Sequence, residues 1–168
     1  MITFEFLPGK ENETEISCLS QGHIIVSDGR SACSSKTTNQ PMMLVLSVTE
    51  LVGGLCSLVA DRNGRQYSFR SVDASFGLKF IRKDNDLVIY CGSKALTEAS
   101  TIRTTCEELI ASVWIALLSF QTYYQPVYIV DATNENDLVI NGWEKDIDMG
   151  FQKTLDRWSQ AFPRNNYI

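Results

Sequence analysis

The sequence predicts an α+β fold, in which an antiparallel sheet of about six strands packs against a central helix with two further helices beside it. Three observations lead there. Short segments of alternating polarity recur over residues 2–91. Residues 104–124 are apolar over more than half of a helical circumference. Residues 142–162 carry large apolar side chains at helical spacing. The chain of 168 residues fits one domain spanning 1–168, and at that length roughly 70% of the unfolded surface is buried on folding, so no metal or disulfide is required.

Taken in order, Ile2, Phe4 and Phe6 alternate with Thr3 and Glu5, a half-buried strand that Pro8-Gly9 ends. Glu15 to Leu19 and His23 to Val26 read as two strands joined by a Ser20-Gln21-Gly22 turn. Asp28 to Gln40, rich in Ser, Thr, Asn and Gly, reads as a loop. Ser47…Glu50 has capping-box spacing, and Val48, Leu51, Val52, Leu55, Leu58 and Val59 then follow a helical period, giving a helix over 47–60. Gly53-Gly54 oppose it, each costing about 1 kcal/mol relative to Ala, and a strand over Met42 to Val48 is the competing reading. Mid-helix glycine would let another backbone approach closely.

Asn63-Gly64 signals a turn. Arg65 to Val72, Phe76 to Phe80 and Leu87 to Cys91 form an antiparallel meander with Lys83-Asp84-Asn85-Asp86 as its polar turn, and Ala95 to Ala99 adds a short edge strand. Two overlapping capping boxes, Thr104…Glu107 and Thr105…Glu108, open the central helix, which runs to about Tyr124 before Pro126. Asn141…Glu144 caps a last helix over 142–162, in which Ile147, Phe151, Leu155, Trp158 and Phe162 share one face and Pro163 stops the run.

The net charge is −5, distributed as −3 over residues 1–15, +1 over 16–130 and −3 over 131–168. That balance argues against a basic nucleic-acid binder. Acidic ends serve solubility, or a basic partner. Five cysteines, an odd number with no Cys-x-x-Cys, read as reduced thiols in the cytoplasm, a Cys18–Cys33 bridge being the minor alternative. The N-terminus lacks the basic and apolar regions of a signal peptide, and Leu109 to Phe120 is too short to span a bilayer. A soluble, cytoplasmic protein with no membrane partner is expected.

No catalytic set emerges. His23 is the only imidazole and sits in an apolar strand beside Ile24 and Ile25, with no nucleophile elbow in the chain. Asp84 and Asp86 lack the further oxygen ligands of a calcium loop and read as turn residues. Gly53-Gly54 and Asn63-Gly64 have no phosphate-loop context. Arg62, Arg65 and Arg70 read as exposed positions flanking strands. The carboxylates Asp131, Glu135, Asp137, Glu144, Asp146 and Asp148 form a solvated acidic surface by default, and a face for a cationic protein as the sharper alternative. No catalytic residue, metal ligand or cofactor is assigned.

One stretch carries a family resemblance. Ser71-Val72-Asp73-Ala74-Ser75-Phe76-Gly77-Leu78-Lys79-Phe80, the hairpin after it, and Glu108-Leu109-Ile110-Ala111-Ser112-Val113-Trp114-Ile115 resemble bacterial immunity proteins of the polymorphic-toxin and contact-dependent growth inhibition type. The resemblance covers about residues 44–124. It implies a non-enzymatic inhibitor that binds one toxin domain, and it transfers no functional residue. An acidic inhibitor would be steered to a basic nuclease toxin. The rival expectations are a small hydrolase pairing His23 with a Cys or carboxylate, and a homo-oligomeric scaffold with an exposed apolar patch at Phe151, Trp158 and Phe162.

Overall fold

The computed structural model describes residues 1–10, 16–92, 101–126 and 135–168, the side chains of 135–141 excepted. The fold is α+β, with two antiparallel sheets of four strands each and three α-helices among the described residues. The apolar residues of both sheets and all three helices join one continuous core.

Alternation builds the first sheet. β1 (Thr3–Pro8) buries Phe4 and Phe6, on the same side as the buried Ile2 just before it, and exposes Thr3 and Glu5. It pairs with β2 (Gln21–Ser27) in the register Phe4↔Val26 and Phe6↔Ile24. The far edge of β2 carries β3 (Ala32–Ser34) and β4 (Met42–Met43). The sequence-expected loop over 28–40 therefore contains a strand. Its polar residues also order the backbone: Ser34 Oγ accepts from the Lys36 and Thr37 amides. The strand expected over 15–19 does not pair with β2. Ile16 makes a single parallel bridge to Tyr124, and residues 11–15 lie outside the described set.

α1 (Leu44–Ala60) starts three residues before the expected Ser47 cap. Ser47 is buried inside the helix, where its Oγ accepts the Val72 amide. Gly54 has a purpose other than backbone approach. A Cβ there would lie 2.0 Å from the Tyr67 ring, which stacks on Phe80 and whose hydroxyl donates to Glu50 O at 2.9 Å.

The second sheet is the expected meander with one more strand: β5 (Gln66–Arg70), β6 (Gly77–Lys83), β7 (Asp86–Cys91) and β8 (Thr101–Thr105) in that spatial order. Asp84 and Asn85 turn β6 into β7, with Asp84 in the left-handed region at φ 56°. The edge strand expected at Ala95 to Ala99 lies outside the described residues. β8 passes directly into α2 (Cys106–Gln121), and Thr105 is the N-cap, its side chain accepting the Glu108 amide as the second of the two capping boxes predicts. α2 runs along the free edge of β1. Ser112 Oγ accepts the Phe4 amide at 2.8 Å, and the Tyr123 hydroxyl donates to the Phe6 carbonyl. An otherwise open sheet edge is thereby covered.

α3 (Glu135–Ala161) begins seven residues earlier than the expected 142. Phe151, Leu155, Trp158 and Phe162 are buried, Phe151 meeting Phe120 and Tyr124 edge-on. The Trp114 indole donates to Phe162 O at 2.9 Å. The apolar patch anticipated for a scaffold is thus spent inside the molecule. None of the described helices is long and apolar enough to cross a membrane.

The cysteine reading requires correction. Cys33 in β3 and Cys91 at the end of β7 form a disulfide, joining the two sheets across 58 positions. Cys18, the partner considered for Cys33, is buried and unbridged, as are Cys56 and Cys106. Sequence spacing gave no hint of the pair because the two strands belong to different sheets.

Candidate functional site

The acidic stretch divides into two populations on α3. Asp131 lies outside the described residues, and the side chains of Glu135 and Asp137 are likewise not described. Asp146 is exposed. Glu144, expected on a solvated surface, is only 4% exposed. Its Oε2 accepts the Cys18 amide at 3.2 Å, which ties the segment after β1 to α3. A buried carboxylate held this way serves the fold rather than an incoming cation.

Asp148 is half-buried and belongs to the same cluster. The Tyr124 hydroxyl donates to Asp148 Oδ1 at 3.0 Å, and Cys18 Sγ lies 2.9 Å from that hydroxyl oxygen. Cys18 Sγ also lies 3.4 Å from the Glu144 carbonyl oxygen, so its single proton has two acceptors within reach. Burial is the main force that pushes the Cys18 thiol up to about 12. Tyr124 is also raised, first by burial and then by its Cys18 and Asp148 partners. Cys18 is therefore a protonated, buried thiol with no nucleophilic character.

What α3 offers outward is different in kind. Trp143 is 59% exposed and Met149 51%, with Gly142, Lys145 and Asp146 between or beside them. Trp and Met, exposed here on a helix that buries Phe151, Leu155 and Trp158 elsewhere, are residue types enriched at protein interfaces. Met149 falls off the inward-facing row of the sequence, whereas Trp143, four residues before Ile147, continues its spacing and yet stands in solvent.

The imidazole has a partner. His23 Nδ1 lies 3.2 Å from Ser35 Oγ. The Ser35 oxygen also accepts the Ile24 amide at 3.1 Å, and Ser35 is fully buried. A serine nucleophile needs access to a substrate, and this one bonds the β2 backbone instead. Burial, with Lys36 nearby, lowers the His23 pKa, keeping the ring neutral.

A groove of about 390 Å³ lies between β1 and α2, lined mainly by Ile2, Phe4, Ala111, Ile115, Ala116 and Tyr123, with Glu5 and Glu108 among its charged residues. His23 does not line it. Among the described residues no group of three His, Cys, Asp or Glu side chains is arranged to hold a metal ion. Set against known proteins, the chain matches no family model, no curated protein and no solved structure.

Proposed function

We propose that this chain is a non-enzymatic binding protein of the immunity type, which neutralises a cognate toxin domain by direct contact. One observation carries the reading: α3 turns Trp143 and Met149 to solvent on an acidic part of the chain, while Phe151, Leu155 and Trp158 on its other side are buried in the core. Large apolar side chains exposed in this way supply the buried centre of an interface, and surrounding carboxylates speed the encounter with a basic partner. Asp146 takes the latter role among the described carboxylates, with Asp131, Glu135 and Asp137 proposed beside it. Glu144 and Asp148 hold the helix in place. A basic nuclease is the toxin class that best complements the charge.

The test is to mix the chain with candidate basic nuclease toxin domains. The expected result is a stable complex on size exclusion and loss of the toxin's activity. Trp143→Ala should weaken the complex by about 2 kcal/mol or more, roughly thirtyfold, without altering stability. Absence of a complex, or a complex indifferent to Trp143, contradicts the proposal.

A further inference from the structure

At the C-terminal end of α1 the turn over Asp61 to Arg65 meets the β6–β7 hairpin. A pocket of about 250 Å³ opens between them, lined by Arg62, Gly64, Arg65, Arg82, Lys83 and Asp84. Four cations and one carboxylate thus face one small volume in a chain whose net charge is −5. Arg70, grouped with Arg62 and Arg65 on sequence proximity, is not part of it.

The cations are mounted on fixed backbone. Arg82 Nη1 donates to the carbonyls of Leu58, Val59 and Asp61 at 3.0, 3.1 and 3.0 Å, and its Nε donates to Asp84 O at 2.8 Å. These bonds satisfy the free carbonyls at the helix end. They leave Nη2, with two hydrogens, unpartnered among the described residues. The turn bearing Arg62 and Arg65 is pinned as well. The Asn63 amide donates to Asp61 Oδ1 at 2.9 Å, the Gly64 amide to Asp61 O at 3.0 Å, and the Arg82 amide to Arg65 O at 2.8 Å. Gly64 packs so closely beneath the helix that a Cβ would lie 2.5 Å from Leu58 O.

Like charges held together on a rigid frame repel one another, and an anion relieves that repulsion without an entropic penalty for ordering the frame. Guanidinium groups match the geometry of phosphoryl oxygens in paired hydrogen bonds, and a neighbouring lysine adds a point charge. The volume admits one or two phosphoryl groups, and a net charge of −5 disfavours a nucleic-acid backbone as the ligand.

We propose that Arg62, Arg65, Arg82 and Lys83 form a binding site for the phosphoryl group of a small phosphorylated ligand. Arg82 Nη2 and the two turn arginines donate to the phosphoryl oxygens, Lys83 completes the charge, and the Asp84 carboxylate facing the same volume partly opposes it. The site is separate from the α3 face, and its test involves no toxin.

The test is titration of the isotopically labelled full chain with sodium pyrophosphate, against sodium chloride at matched ionic strength, followed by amide shifts. Saturable shifts centred on residues 62–65 and 82–84 are expected with pyrophosphate only. Arg62→Ala/Arg65→Ala, both exposed, should weaken binding at least tenfold and leave distant amides unmoved. Arg103→Ala on β8 should have no effect. Equal shifts with chloride would mean simple screening and overturn the site, as would unchanged affinity in the double variant. A single-stranded oligonucleotide that binds more tightly than pyrophosphate and shifts residues well beyond the pocket would also overturn it.

Discussion

The Cys33–Cys91 disulfide gives the sharpest stability prediction. It closes a loop across 58 positions between β3 of one sheet and β7 of the other. In the chain-entropy account, cross-linking removes conformations from the unfolded state, and a loop of this length contributes about 4 kcal/mol at 25 °C. Unfolding entropy for 168 residues, taken at the usual amount per residue, converts this into a fall of about 12 °C in Tm. The perturbation is Cys33→Ser/Cys91→Ser, which avoids leaving an unpaired thiol. Urea denaturation with and without reductant is the assay. The wild-type chain should lose about the same stability on reduction as the double variant has already lost, and the variant should not respond to reductant, since Cys18, Cys56 and Cys106 are buried and unbridged. A variant within about 1 kcal/mol of the oxidised wild type would refute the reasoning, because the chain-entropy term would then be missing.

Two further outcomes follow from particular contacts. Gly54→Ala should destabilise by about 1–3 kcal/mol, since the new methyl displaces the Tyr67 ring. In a Tyr67→Ala background the same change should stabilise by up to about 1 kcal/mol, because only the helix preference of Ala over Gly remains; urea midpoints of the four chains decide it, and equal effects in both backgrounds contradict the contact. The His23 pKa is lowered from 6.5, chiefly by burial. A base with a depressed folded pKa gives stability that is present above its unfolded pKa and is lost as pH falls through the folded value. Stability should therefore decline as pH falls below about 6.5, and His23→Gln should flatten that decline. A wild-type profile that rises on acidification through this window, or one unaltered by the substitution, contradicts the assignment.

The sheets were legible where side chains alternate. Ile2, Phe4 and Phe6 gave β1, and Leu87 to Cys91 gave β7, because a period of two survives any tertiary context that buries one face. The Thr105 cap was legible because a hydroxyl three residues before a glutamate has few competing uses. Ser47 has the same spacing and was misleading: its hydroxyl is drawn inward by the Val72 amide, a contact 25 residues away. β3 escaped detection because a three-residue strand is too short to show a period, and β4 is only the first two residues of the strand weighed over Met42 to Val48. Two sheets rather than one could not be foreseen, since alternation marks a buried face without saying which strands share it. The candidate site fared similarly. Helical spacing identified the inner face of α3 correctly, whereas net charge alone could not separate the buried Glu144 from the exposed Asp146. Trp143 lay within the acidic stretch, and only its exposure drew attention to it.

The central claim is that the chain acts by presenting an acidic, Trp-bearing helix face to a basic macromolecule. The most direct measurement is the association rate with the cognate toxin domain by stopped flow, taken from about 20 to 500 mM salt. The account predicts a rate that falls at least tenfold over this range for the wild type, together with a dissociation rate that rises sharply in Trp143→Ala. A rate independent of salt, with dissociation unchanged by removal of the indole, would contradict it.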